Sequence, residues 1–541
     1  MLTSKVSFSF LTRHVGIEPF NLLKNSYRAI SEDGHFTDIL SDKKIAALLF
    51  ENTLEGSFFD SPENLRDFCY AFPEKTQDKI KANLEISDFD QIRWTEKIAT
   101  YFIEELGLSE KFRETTQKVS EDRKGYYVHD KPPQIFKKLK RYQSKIFFDA
   151  FDYIRETNFA RCIIQMPTGS GKTRTSMEIV CESMNQSGRS VLWLANTEEL
   201  CDQALESFNE VWRFIGAREA RAINHMRHRV SSTDDKDVST FHVASLQSVA
   251  GNRALEKLES KGVLVADIEL VIVDEAHIAV APTYKVAIDA IATEGAKLIG
   301  LTATPGRQLR LGAGSDQNQD LSDFFFSKLF ELDTGNIPPI EYLRREGILS
   351  NSRFHSIEGA SVAQILTENE LRNCRKNNTI PKKIETLLTN DSRRTAAIFD
   401  QLVQLLRSGK KILFFGTSVA HSEMISTLIE IQGFRSAHVD GSTGKNRQTI
   451  ISDFKEGEIQ ILCNYGVLST GFDDPKIDVV FMARPTNSIV LYSQIIGRGL
   501  RGPLLGGTDV CDIYTVVDNI VDLPDNNDIY SYFDEYFAQS E

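Results

Sequence analysis

Two clusters of residues in this chain have the types and spacing for phosphate chemistry. The first is Pro167-Thr168-Gly169-Ser170-Gly171-Lys172-Thr173, preceded by the apolar run Cys162, Ile163, Ile164 and followed by a helical pattern from about Arg174. A buried strand that breaks into glycines and then opens a helix with Lys-Thr makes a phosphate cradle: loop N–H groups point inward and the helix N-terminus adds partial positive charge. Gly169 and Gly171 let the backbone approach without a Cβ in the way. Lys172 would reach the β- and γ-phosphates, and the Thr173 hydroxyl would ligand Mg²⁺. The fuller pattern places a glycine where this chain has Met166.

The second cluster is Asp274-Glu275-Ala276-His277, at the end of the apolar run Leu270-Val271-Ile272-Val273. Two acids at the end of a buried strand suit a Mg²⁺–nucleotide site opposite a phosphate loop. Asp274 would hold the metal, mostly through water, and Glu275 would orient and deprotonate the attacking water. Farther along, Arg498 and Arg501 bracket a turn in Gln494-Ile495-Ile496-Gly497-Arg498-Gly499-Leu500-Arg501. That stretch has no phosphate loop of its own, so its cations suit a neighbour's γ-phosphate. Upstream, Gln143 carries an amide able to donate to and accept from an adenine edge. The hydroxyls of Thr302 and Thr304, at the end of a further strand, are placed to sense the nucleotide site.

The elements that must hold these groups follow from length and patterning. At 541 residues, 41% hydrophobic and 26% charged, the chain has the composition of a soluble globular protein of about three or four domains. No apolar run is long enough to span a bilayer, and Met1 to Gly16 lack a sustained apolar core for a secretory signal. The seven cysteines form no CxxC pair, the usage of a reducing, cytoplasmic compartment. A net charge of −13 does not advertise a nucleic-acid binder, although a basic groove can sit on an acidic body.

Residues 1–125 show apolar positions at helical spacing and no catalytic motif; they read as a helical accessory or partner-docking region, with a helix start at Asp60-Ser61-Pro62-Glu63. Lys131, Lys137, Lys138, Lys140, Arg141 and Lys145 make either a solvated helix face or the setting of a nucleobase reader at Gln143. Residues 126–331 alternate strands and helices around the phosphate loop, with Asn196 or Thr197 capping one helix. The basic stretch Arg218, Arg221, Arg227 and Arg229 carries His225 and His228, read as surface residues rather than metal ligands. Residues 332–390 read as a connector whose Arg344, Arg345, Arg372, Arg375, Lys376, Lys382 and Lys383 face either a nucleic-acid backbone or water. Residues 391–541 form a second strand–helix unit with strands near 411–416, 436–440, 459–463, 478–482 and 512–517, and a short acidic tail.

The ordered set Arg141-Tyr142-Gln143, PTGSGKT, LANTEEL, ASLQS, VDEAH, TATP, VDGST, LSTGFDDP and QIIGRGLR, across residues 131–520, resembles the DEAD/DEAH-box helicases and translocases of superfamily two. TATPGR, IEYLRREGILS and ARPTNSIVLYSQIIGRGLRGP are closest to bacterial helicases allied to restriction-enzyme motor subunits. The resemblance implies an α/β fold of two tandem RecA-like domains, parallel sheets flanked by helices, with ATP and Mg²⁺ between them. In that frame Gln143 reads adenine; Thr168, Gly169, Ser170, Gly171, Lys172 and Thr173 hold phosphates; and Thr173 and Asp274 hold the metal. Gly471 and Asp473 approach the ribose, while Arg498 and Arg501 complete the γ-phosphate site. It tolerates Met166 beside the PTGSGKT core. The implied activity is ATP-dependent translocation on, or unwinding of, DNA in bacterial genome defence or repair, with a nuclease or other effector supplied in trans. An RNA track, and an ATP-switched scaffold that docks a partner on residues 1–125, are the alternatives. No nuclease or methyltransferase motif accompanies the motor.

Overall fold

The computed structural model describes residues 3–36, 39–54, 58–59, 61–109, 112–113, 126–127, 138–226, 238–303, 316–362, 366–377, 380–443, 447–468, 472, 474–486 and 489–520. Two sheets organise them. The first comprises β1 (Tyr126–Tyr127), β2 (Arg161–Gln165), β3 (Ser190–Ala195), β4 (Arg221–Asn224), β5 (Thr240–Ser245), β6 (Ile268–Asp274), β7 (Lys297–Thr302) and β8 (Leu329–Phe330), in the order β1-β4-β5-β3-β6-β7-β2-β8. Every pairing in it is parallel except β1 with β4. Strands β3, β4 and β5 are buried at every residue, the polar Arg221, Asn224 and His242 included, because the sheet is covered on both faces.

The second sheet comprises β9 (Asn351–Val362), β10 (Ile412–Phe415), β11 (Ser436–Val439), β12 (Ile461–Asn464), β13 (Val479–Met482) and β14 (Val510–Ile520). Its order is β11-β12-β10-β13-β14-β9, parallel throughout. The fold is two parallel sheets flanked by helices, as expected. The stretch 332–390 differs from a plain connector. Within it β9 pairs with β14 along Asn351 to Val362, so the second sheet draws its edge strand from upstream of its other strands. The alternation of β9 is irregular and half exposed, which is why the edge strand did not stand out from the surrounding polar sequence.

The N-terminal region is helical: Phe8–Val15, Ile17–Glu32, Asp42–Thr53, Pro62–Tyr70, Glu74–Leu84 and Glu96–Thr100. Ser61 caps the helix that begins at Pro62, its hydroxyl accepting from the Asn64 N–H. Phe10, Phe50, Phe59, Phe68, Phe102 and Phe112 fill its interior, and that core runs without a break into Phe399, Met424 and Leu428 of the second domain. Phe36 packs on Phe399 with centroids 5.5 Å apart, and His35 Nε2 lies 2.8 Å from Asp400 Oδ1. The region therefore sits on the outer helices of the second sheet, not on the domain that follows it in sequence.

Candidate nucleotide site between two domains

The phosphate loop leaves β2 at Gln165 and enters the helix Lys172–Ser187. The backbone N–H of Met166 donates to the Thr302 carbonyl at 3.0 Å, tying the start of the loop to the end of β7, while the Met166 side chain is wholly buried in the core. Met166 thus fills space beneath the loop where the fuller pattern has a glycine. Gly169 and Gly171 adopt φ of +89° and +86°, a region costly for residues with a Cβ. A methyl group at Gly169 would collide with Arg501 Nη1, and one at Gly171 with Gln143 Nε2. The cradle is therefore lined by the two side chains expected to serve its opposite ends.

Gln143 sits in the first turn of the helix Arg141–Glu156. Its Oε1 accepts from the Lys140 N–H at 2.8 Å and its Nε2 donates to the Ser170 carbonyl at 3.2 Å. The same carbonyl accepts the Tyr142 hydroxyl at 2.7 Å. The sequence assigns Tyr142 no role, because its burial beside the amide depends on how the helix docks against the loop.

Beneath the loop, Lys172 Nζ stands 3.7 Å from Asp274 Oδ1 and 3.7 Å from Glu275 Oε1. Burial pushes the Asp274 carboxyl up, against the pull of Lys172. Burial acts the same way on Glu275, but the charges of Lys172, His277 and Arg498 and a hydrogen bond from Gln494 outweigh it and hold this carboxyl below its ordinary value. Glu275 is thus kept ionised, as a proton acceptor must be. His277 Nδ1 is 3.3 Å from Glu275 Oε2. Glu275 also holds φ at +54°, a left-handed conformation that costs a non-glycine residue about 1 kcal/mol or more and marks functional turns. Neither the strain nor the Gln494 contact is readable from the sequence, since both depend on how β6 ends against the second domain.

The oxygen-only set of Thr173 and Asp274 suits Mg²⁺, which keeps several waters and leans on substrate phosphates. Among the described residues no cluster of three or more His, Cys, Asp or Glu could cage a metal alone.

The second domain closes the other side. A methyl group at Gly497 would collide with the Thr168 side chain, so the backbone of the second domain packs directly on a side chain of the phosphate loop there. Arg498 Nη1 donates to the Phe472 carbonyl at 2.6 Å while its charge acts on Glu275. The structure thus brings Gln143, the phosphate loop, Lys172, Asp274, Glu275, Arg498 and Arg501 into one cleft. Thr304, Gly471 and Asp473 lie outside the described residues, as do Arg227, Arg229 and His228. His225 corrects the expectation of a surface histidine. It is buried, its Nε2 2.9 Å from His242 Nδ1, because β4 is an interior strand. Of the connector cations, Arg344 donates to the Ser352 hydroxyl, while Arg345 pairs with Glu341 and stays open to water.

A parallel-sheet pair clamping a phosphate loop and its acids against two arginines defines a helicase-type motor core. The family model described as "Type III restriction enzyme, res subunit" matches residues 136–307, and "Helicase conserved C-terminal domain" matches residues 397–502. The chain belongs to the superfamily-two helicases and resembles their restriction-enzyme motors. It is 26% identical over 343 residues to a 51.5 kDa protein of a Lactococcus phage (isolate 7-9), covering 63% of this chain and 62% of that one. It is 24% identical over 410 residues to the Type I restriction enzyme EcoKI endonuclease subunit of Escherichia coli (strain K12), covering 66% and 33%. To the ATP-dependent rRNA helicase RRP3 of Candida albicans it is 23% identical over 338 residues, covering 62% and 54%. The chain thus spans less than two thirds of each relative's length. Its fold matches Saccharomyces cerevisiae Dbp5 bound to RNA and ADP BeF3, with a TM-score of 0.50, 16% identity and coverage of 75% and 89%. It also matches the ATP-dependent Type ISP restriction-modification enzyme LlaBIII bound to DNA, with a TM-score of 0.50, 17% identity and coverage of 70% and 28%. Among the described residues no helix is long and apolar enough to cross a membrane.

Proposed function

We propose that this chain is a nucleic-acid-stimulated ATPase that moves along or unwinds DNA. The observation that carries the reading is the reach of Arg498 and Arg501, on the second domain, to Glu275 and Gly169 on the first. Thr168 to Thr173 would hold the phosphates, Gln143 the adenine, and Thr173 and Asp274 the metal, which on binding neutralises phosphate charge. Glu275 takes the proton of the attacking water; the two arginines stabilise charge on the transferred phosphoryl group. Gly471 and Asp473 would line the ribose side. Hydrolysis then occurs when the domains are closed, and alternating closure ratchets the protein along a sugar–phosphate backbone. The restriction-type relatives support a DNA track and a place in genome defence, with a nuclease or other effector acting in trans; seven cysteines without a CxxC pair support a cytoplasmic setting.

An RNA track is the second reading, favoured by the likeness to an rRNA helicase. ATP hydrolysis assayed with single-stranded DNA, duplex DNA and RNA separates the two. Stimulation by DNA is expected; stimulation by RNA alone would move the track, and equal turnover in all three would leave an ATP-switched scaffold.

A further inference from the structure

The helix Pro339–Arg345 ends in a glycine turn. Gly347 takes φ +65°, its N–H donates to the Arg344 carbonyl, and the Ile348 N–H reaches back to the Leu343 carbonyl, both at 2.8 Å. This is a Schellman termination, with Leu343 and Ile348 supplying its apolar contact within the shared core. It turns the next residues onto the arginine loop. The Gly502 N–H donates to the Ile348 carbonyl at 2.9 Å, the Leu504 N–H to the Gly347 carbonyl at 3.0 Å, and the Asn351 N–H to the Asp509 carbonyl at 2.9 Å. Between them lies Ser350, completely buried, its hydroxyl 2.6 Å from both the Arg501 and the Thr508 carbonyls. The Arg501 carbonyl also accepts the Thr508 N–H at 3.1 Å. A methyl group at Gly502 would collide with the Gly347 carbonyl, so the two segments touch backbone to backbone. One residue earlier, Leu349 lies against the phosphate loop: its Cδ2 would be 2.8 Å from a Cβ at Gly169.

We infer that Ser350 is a positioning residue for Arg501. Its hydroxyl pins the main chain of the arginine loop to the interdomain segment, so that the guanidinium faces the phosphate loop only while Gly347–Asn351 is seated. The inference rests on the reading of Arg501 as a γ-phosphate cation. Ser350 touches no substrate and acts through a carbonyl. The one hydroxyl proton of Ser350 is shared between two converging carbonyls; alanine removes it and leaves the Arg501 carbonyl held only by the Thr508 N–H.

The test is steady-state ATP hydrolysis by the full chain on single-stranded DNA, with Ser350→Ala, Arg501→Ala and the double variant. Ser350→Ala should lower kcat about tenfold with KM for ATP little changed, and should cost less than about twofold more when Arg501 is already alanine. Ser350→Thr, which keeps the hydroxyl, should retain more turnover than Ser350→Ala. Gly502→Ala, which pushes the same two segments apart, should show the same dependence on Arg501. The same fold-loss in both backgrounds, or no loss at all, would overturn the inference by leaving Ser350 merely structural. If Arg501→Ala alone turned over at the wild-type rate, the reading of Arg501 itself would fail and take this inference with it. Should Ser350→Ala not fold, as judged by thermal unfolding, Gly502→Ala carries the same comparison.

Discussion

The Tyr142 hydroxyl donates to the Ser170 carbonyl at 2.7 Å, so the helix Arg141–Glu156 holds the middle of the phosphate loop from behind. Because Gln143 Nε2 shares that acceptor, Tyr142→Phe leaves the carbonyl partly satisfied. The loss should be about 1 kcal/mol, or about fivefold in ATP affinity. Titration with a fluorescent ATP analogue measures it; unchanged affinity would show that the loop needs no such tether.

Glu275→Gln removes the proton acceptor while keeping the shape of the side chain. Nucleotide should still bind, and turnover should fall by about two to four orders of magnitude. Wild-type hydrolysis by this variant would rule Glu275 out as the base.

Lys172→Ala should abolish turnover, and it should also change how stability depends on pH. With Lys172 present the Glu275 carboxyl lies below its ordinary value. It therefore contributes stability above its unfolded pKa, lost as pH falls through the folded one. Without Lys172 the largest charge holding Glu275 down is gone and Asp274, already pushed up by burial, loses its main counterweight, so the charged carboxylates are less favourable at neutral pH than in the wild type and acid relieves the difference. The gap in melting temperature between wild type and variant should therefore shrink from pH 7 towards about pH 4. A gap independent of pH would mean that the lysine does not set these carboxyls.

Arg394 and Asp518 form a wholly buried pair at the carboxyl end of the second sheet. Arg394 Nε donates to Asp518 Oδ1 at 2.7 Å and Nη2 to Oδ2 at 2.9 Å, with Thr417 Oγ1 and the Ala483 carbonyl as further acceptors. Arg394→Ala strands the carboxylate and should cost about 3–5 kcal/mol, read by urea unfolding. A cost below about 1 kcal/mol would mean that solvent reaches Asp518.

Lys172, Asp274 and Glu275 were legible in sequence because chemistry fixes their spacing within a strand–loop–helix and at a strand end. The buried strands β3 and β6 were legible for a related reason: an unbroken apolar run has few other places to go. What escaped depends on contacts between distant segments. The edge position of β9 is decided by its register with β14, the burial of His225 by β4 lying inside the sheet, and the role of Ser350 by a turn at Gly347. The helical character of the described amino-terminal residues could be read from periodicity, but their seat could not. An amphipathic face announces that it must be covered and is silent about what covers it.

That seat has a practical consequence. Because Phe36 and its neighbours share one interior with Phe399, Met424 and Leu428, the amino-terminal helices are a wall of the second lobe rather than an appendage. Removing them to obtain a minimal motor should yield an aggregating protein, whereas cutting the backbone between residues 113 and 126 should leave both pieces migrating together through a sizing column.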